Sequence, residues 1–414
     1  MKEAIRDALH EPESMEKLYR SDRKAFEKAF LQLFPEIQDH VLAQAWYFRL
    51  AKSDNTFNFG QWRHWALLLM LSVLAWFVAK LPDLAGLDTE NYYARNISLA
   101  LFPFLSAWFI LTGKPKILVN WTVLALFIFS AVYINMLPNN QSSQTFVLAC
   151  LHMVLFLWFI TGLSFSSDGF RRYTSRLDWL RFNGDLAVMM AVLFIAGGML
   201  SAVTIGLFEV AGMSIEKFYM KNIAVWGGVA IPLFATWLVQ ANPQLVSKVS
   251  PVVARVFTPL VIMMLAVYLT ALPFSDKDPF NDREFLLIFN ILLLGVMALV
   301  FFTLSGRDEQ KEEKMQVINL LMLSALTLIV NTIALSAILY RIGEWGITPN
   351  RLAVLVSNVL IFSNLVLLAF KLFRVVRKKA LLAEAEDSIA LFLPLYAAWT
   401  AVVVFLFPVI FGFK

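Results

Sequence analysis

Eleven separate apolar stretches, each long enough to cross a lipid bilayer, occupy most of this chain of 414 residues. A helix needs about 20 mostly apolar residues to cross, because each residue rises about 1.5 Å and the hydrocarbon core is about 30 Å thick. The stretches run over about 62–81, 93–112, 117–137, 144–164, 186–210, 222–241, 252–273, 284–304, 316–340, 352–372 and 389–411. They are continuous runs, such as Trp65 to Phe77 or Val317 to Tyr340, and not the short alternating segments of barrel strands. Backbone polar groups in lipid must be satisfied inside a helix or a closed barrel. The expected fold class is therefore all-α, a polytopic transmembrane helical bundle of about eleven spans with a small helical N-terminal cytoplasmic segment.

Composition agrees. Hydrophobic residues are 59% and charged residues 16%, against about 45–50% and 25% in a soluble domain. The net charge is +5, but Lys and Arg cluster beside the apolar stretches, which is an orientation signal. No basic patch on a binding fold is visible, so nucleic acid is excluded as a partner, and membrane lipids are the expected one. The single cysteine, Cys150, lies in an apolar run, so the chain forms no internal disulfide. No Cys/His cluster suggests a metal, and no cofactor is expected.

Two domains are expected: residues 1–61 as an amphipathic cytoplasmic segment and 62–414 as the transmembrane domain. Pro12 suits a helix first turn, and Ser21 or Asp22 suits the cap of the next helix. That helix carries Phe26, Phe30, Leu33 and Phe34 on one face and should stop at Pro35. A third helix should run from about Glu36 to Ala51 with Ile37, Val41, Leu42 and Phe48 apolar, before a linker from Ser53 to Gly60.

One side of the spans carries Arg49, Lys52, Arg63, Lys114, Lys116, Arg171, Arg172, Arg176, Arg181, Lys248, Arg255, Arg307, Lys311, Lys314, Lys371, Arg374, Arg377, Lys378 and Lys379. The other carries Lys80, Arg95, Lys217, Lys221, Lys277, Arg283, Arg341, Arg351 and Lys414. Nineteen against nine places the N-terminus in the cytoplasm and the C-terminus outside. The loop from Ser166 to Asp185 mixes arginines with Phe170, Tyr173, Leu177, Trp179, Leu180 and Phe182. It reads as plain positive-inside anchoring or as a basic interfacial helix on anionic lipid.

Three groups of residues are candidates for function. Gly227, Gly228 and Pro232 in the sixth stretch mark a possible helix break, and Gly198, Ala202 and Gly206 repeat the small-residue spacing in the fifth. Further prolines lie in spans at Pro103, Pro259, Pro394 and Pro408. Asn290, Ser324, Thr327, Asn331, Asn358 and Asn364 are polar positions that lipid does not tolerate. They read as interhelical packing bonds or as a pathway for a small polar solute; His152 reads as a structural histidine. The third group is the segment from Tyr340 to Arg351, where Gly343 and Gly346 permit turns and Thr348 with Pro349 starts a helix. As a hairpin it is fully explained; as a site, Arg341, Glu344, Trp345 and Arg351 would cluster around an anionic or headgroup ligand, with Glu344 pairing with either arginine.

Tyr340 to Arg351, followed by Leu352-Ala353-Val354-Leu355, resembles the hallmark of a bacterial multipass inner-membrane family, a DUF4153-like domain of unknown function. Pro12-Glu13-Ser14-Met15-Glu16-Lys17-Leu18-Tyr19-Arg20 is similar to the leader of its Bacteroidota-type members. The resemblance implies an inner-membrane location with the C-terminus periplasmic, and brings no catalytic residues. The functional expectation is a transporter, permease or flippase-like protein for a small solute or lipid. The alternative is a non-enzymatic structural or signalling subunit of an envelope complex, docking a protein partner through residues 1–61 or the basic loop 166–185. An enzyme ranks last, because no nucleophile and base stand together.

Overall fold

The computed structural model describes residues 1–51, 62–113, 116–140, 142–166, 168–243, 249–274, 280, 283–305 and 314–413. The Ser53–Gly60 linker lies outside the described residues, as do Lys52, Lys114, Lys248, Lys277, Arg307, Lys311 and Lys414. Every regular element among the described residues is helical. The chain divides into two compact units, Met1–Phe59 and Gly60–Lys414.

Among its described residues the first unit has four α-helices: α1 (Lys2–Asp7), α2 (Pro12–Ser21), α3 (Arg23–Ile37) and α4 (Val41–Ala51). Pro12 opens α2, and the Asp22 carboxylate caps α3 by accepting from the Ala25 amide. Phe26, Phe30 and Leu33 turn inward with Ile5, Met15 and Trp46 to make a core of their own. Pro35 does not stop α3, which continues to Ile37. So close to a helix end, a missing amide donor removes one bond of the last turn and no more. Val41 is not a core position: it starts α4 in an exposed place. Arg49 and Arg20 both bond the Glu16 carboxylate, and these hydrogen bonds hold that carboxyl below its usual range.

The second unit contains α5 (Trp62–Ala85), α6 (Thr89–Asn96), α7 (Phe102–Thr112), α8 (Ile117–Met136), α9 (Gln144–Phe165) and α10 (Tyr173–Val210). Then come α11 (Glu216–Ala241), α12 (Val249–Ala271), α13 (Arg283–Ser305), α14 (Lys314–Trp345), α15 (Pro349–Val376) and α16 (Leu382–Ile410). Among the described residues, 9 helices are long and apolar enough to cross a membrane. On α10, Ile195, Met199, Leu200, Val203 and Leu207 are each more than half exposed. Apolar surface of that extent is what a membrane-spanning helix presents.

The eleven expected crossings are therefore not all present at full length. The stretch expected over 93–112 is broken into α6 and α7 around the turn at Ile97–Leu101. Pro103 has no amide for the Leu99 carbonyl, so the helix restarts there, where no donor is needed. With 11 residues, α7 is about 17 Å long, little more than half the hydrocarbon thickness. In α13 the described apolar run is Ile288–Leu304.

The break is held by buried polar side chains. Arg95, 8% exposed, closes the end of α8. Its Nη1 donates to the carbonyls of Ile134 (2.8 Å), Asn135 (3.3 Å) and Leu137 (3.0 Å), and its Nη2 reaches Asn139 Oδ1 at 3.1 Å. A helix C-terminus leaves its last carbonyls without donors and carries partial negative charge, so a guanidinium satisfies both needs. Beside it, Asn96 and Asn135 exchange reciprocal amide bonds of 3.0 and 2.8 Å.

The apolar residues of the basic loop pack largely into the protein and do not form a separate amphipathic helix. With 38 residues, α10 is a single helix, and Leu177, Trp179, Leu180 and Phe182 are buried in the main core with Phe109 and Phe170. Arg176 donates to the Phe170 and Ala390 carbonyls, and Arg181 pairs with Glu386. Asp168 ties the preceding turn. It accepts from the Phe170 and Arg172 amides and from the Ser166 and Ser175 hydroxyls. Burial pushes its carboxyl up, but these bonds together outweigh that and hold it below the usual carboxylate range. Phe170 takes a left-handed backbone (φ 65°), and its ring lies where a Gly162 side chain would be.

Candidate functional site

The polar residues of α13, α14 and α15 meet inside the helix packing. Asn331 of α14 donates through Nδ2 to the Asn358 carbonyl of α15 at 3.1 Å, and Asn358 Nδ2 donates to Asn290 Oδ1 of α13 at 3.0 Å. On the same face of α14, Thr327 donates to its own helix at the Leu323 carbonyl, and Ser324 lies one turn further on. Ser324 and Asn331 are both 0% exposed, yet among the described residues Ser324 Oγ and Asn331 Oδ1 have no hydrogen-bond partner. The three asparagines explain much of how these helices pack. The two orphaned oxygens are not explained that way, since native interiors pair nearly all buried polar atoms.

Asn364 belongs to a different face. Its Nδ2 donates to the Tyr396 hydroxyl of α16 at 3.0 Å, and seven residues earlier Ser357 accepts from Trp399 Nε1 at 2.9 Å. The six expected pathway residues therefore divide: five line the α13–α15 seam, and Asn364 faces α16. Tyr396 and Trp399 were missing from the sequence expectation. Their spacing of three on one helix face, each with an apolar body and a polar tip, is the signal.

The Tyr340–Arg351 segment is a hairpin, with differences from expectation. α14 runs through Gly343 to Trp345, and the turn is made at Gly346 with φ 75°. Thr348 caps α15 by accepting from the Arg351 amide, with Pro349 in the first turn. Arg351 Nη1 donates to the Trp345 and Gly346 carbonyls at 2.8 and 2.7 Å, closing the end of α14. Arg341 is buried, donates to the Phe280 carbonyl, and faces the Trp345 ring across from Arg351. Glu344 is exposed. Both guanidinium groups contact backbone and the Trp345 ring.

The helix break in α11 lies earlier than Gly227, Gly228 and Pro232. The departure from α geometry is a π stretch at Tyr219–Ala224, while Val225–Ala241 is helical through Pro232. The carbonyl that Pro232 cannot serve is that of Gly228. A Cβ at Gly198, Gly206, Gly227 or Gly228 would meet nothing within 4 Å among the described residues, so there these glycines mark no close helix approach. α5 satisfies the π stretch: Lys80 Nζ donates to the Lys221 carbonyl at 2.8 Å, and Trp76 Nε1 to the Asn222 carbonyl at 3.2 Å. Lys80, whose side chain is 5% exposed, also pairs with Asp83 at 2.5 Å. Lys80 and Arg95 read as loop charges in the sequence; a buried lysine and an anchoring one look alike there. His152 bonds the Leu148 carbonyl on its own helix, in keeping with a structural role. Among the described residues no group of His, Cys, Asp and Glu is placed to hold a metal. No family model matches the chain, and no curated protein or solved structure matches it.

Proposed function

We propose that this chain is a non-enzymatic integral membrane transport protein, permease- or flippase-like, that carries its cargo along the α13–α15 seam. The observation that supports this reading is that two fully buried oxygens without a partner among the described residues, Ser324 Oγ and Asn331 Oδ1, share one face of α14, whereas others such as Asn364 Oδ1 and Thr236 Oγ1 lie singly elsewhere. Polar residues kept only to fix packing need partners in the protein, because an unmet buried acceptor costs about 1–3 kcal/mol. A passing solute supplies the missing partner. Many apolar helices with helix breaks at α6–α7 and Tyr219–Ala224 favour the same reading.

The location proposed is a bacterial inner membrane, N-terminus in the cytoplasm and C-terminus in the periplasm. The basic residues support it. Of the nine assigned to the outer side, Lys80, Arg95 and Arg341 are buried, so these three count less as solvated loop charges. The resemblance of the hairpin to the DUF4153-like family agrees with that location. Reconstitution tests the function: liposomes containing the protein should take up at least one of a panel of small polar solutes and labelled lipids faster than empty ones. Equal rates across the whole panel would contradict it.

A further inference from the structure

We propose that the α14 stripe binds a small uncharged solute that donates hydrogen bonds, of the polyol or amide class. The inference rests on the transport reading and adds the chemistry of the cargo. Three observations lead to it.

The first is which groups are already used. Asn331 Nδ2 is committed to the Asn358 carbonyl, Asn358 Nδ2 to Asn290, and the Thr327 hydroxyl to Leu323. What the stripe offers is therefore one acceptor, Asn331 Oδ1, and one uncommitted hydroxyl, Ser324 Oγ, which can accept or donate, both on side chains 0% exposed. A ligand must bring a proton to Asn331, while Ser324 can meet either a donor or an acceptor.

The second is charge. Between Gln316 and Leu339 on α14, and between Leu352 and Phe370 on α15, the sequence has no Asp, Glu, Lys, Arg or His. The described side chains of α13, Ile288–Leu304, have none either. An ion would leave water with no opposite charge to meet it, which the membrane interior penalises heavily. Two neutral oxygens are also far fewer than the carbonyl rings that replace a cation's water shell.

The third is spacing. Ser324, Thr327 and Asn331 share a helix face at i, i+3 and i+7, so the two open groups stand about 10 Å apart along the axis. That is too far for one small molecule to bridge. The geometry is that of two successive stations.

The test uses the full chain in liposomes, with glycerol and urea as uncharged probes and rubidium and sulfate as charged ones. Glycerol or urea flux should exceed that of empty liposomes. Ser324→Ala should lower it roughly five-fold, the factor one ordinary hydrogen bond carries, as should Asn331→Leu. Gly198→Ala, where a Cβ meets nothing within 4 Å, should leave it unchanged. If Asn331→Leu does not fold, Ser324→Ala decides alone, since it removes one atom without adding bulk. Rubidium or sulfate flux without glycerol or urea flux overturns the solute class and leaves the transport reading standing. No flux of any probe overturns the solute class, and the wider solute and lipid panel then decides the transport reading. Uncharged flux that is unchanged in both variants overturns the assignment to α14.

Discussion

Gly162→Ala is expected to destabilise the membrane unit by about 2–3 kcal/mol, the upper range for overpacking a filled core. An added Cβ would collide with the Phe170 ring and come within 2.9 Å of Trp179 Nε1. Neither neighbour can retreat. Phe170 is fixed by bonds from its amide to Ser166 and Asp168 and from Arg176 to its carbonyl. Trp179 is packed between Phe165 and Phe182. The same change at Gly198, another helix glycine with no neighbour in reach, should be neutral or gain up to about 1 kcal/mol from helix propensity. Thermal unfolding of both variants in detergent measures the difference. Equal melting temperatures for the two would mean that the aromatic cage is looser than its geometry indicates.

Arg95→Leu should cost about 3 kcal/mol or more, because it leaves the carbonyls of Ile134 and Leu137 inside the protein without their donor. Arg95→Lys should rescue little of it. One ammonium cannot span both the α8 carbonyls and Asn139, as the guanidinium fork does. Melting temperature and monodispersity in detergent are the readouts, and a stable Arg95→Leu protein would remove Arg95 from the support of the α6–α7 break.

The helical class and most of the long apolar helices are legible in the sequence, because continuous hydrophobicity has few other outcomes in a chain this apolar. The caps at Asp22 and Thr348 and the turn at Gly346 are legible for a similar reason, since each is a local rule with a local residue. What the sequence conceals is compensation across helices. Pro82 frees the Val78 carbonyl, and the Tyr92 hydroxyl takes it at 2.6 Å. The π stretch at Val402–Leu406 finds Tyr133, which donates to the Phe405 carbonyl. Neither partner is near in sequence. The candidate site was half legible: the α14 face of Ser324, Thr327 and Asn331 follows from helical spacing. That Asn358 faces α14 while Asn364 faces α16 depends on how α15 is rotated among its neighbours, which hydropathy does not encode. Gly227 and Gly228 misled because small residues at that spacing imply close approach only where another helix arrives.

The central claim is that the α14 stripe is open to a small polar molecule, and single cysteines test it most directly. In a Cys150→Ala background, Ser324→Cys and Asn331→Cys should react with a small uncharged thiosulfonate in liposomes. Leu323→Cys, on the same helix and equally buried at 0% exposure, should stay unreactive. If Ser324→Cys and Asn331→Cys are as inert as Leu323→Cys, the seam is a sealed packing interface and the transport account is wrong.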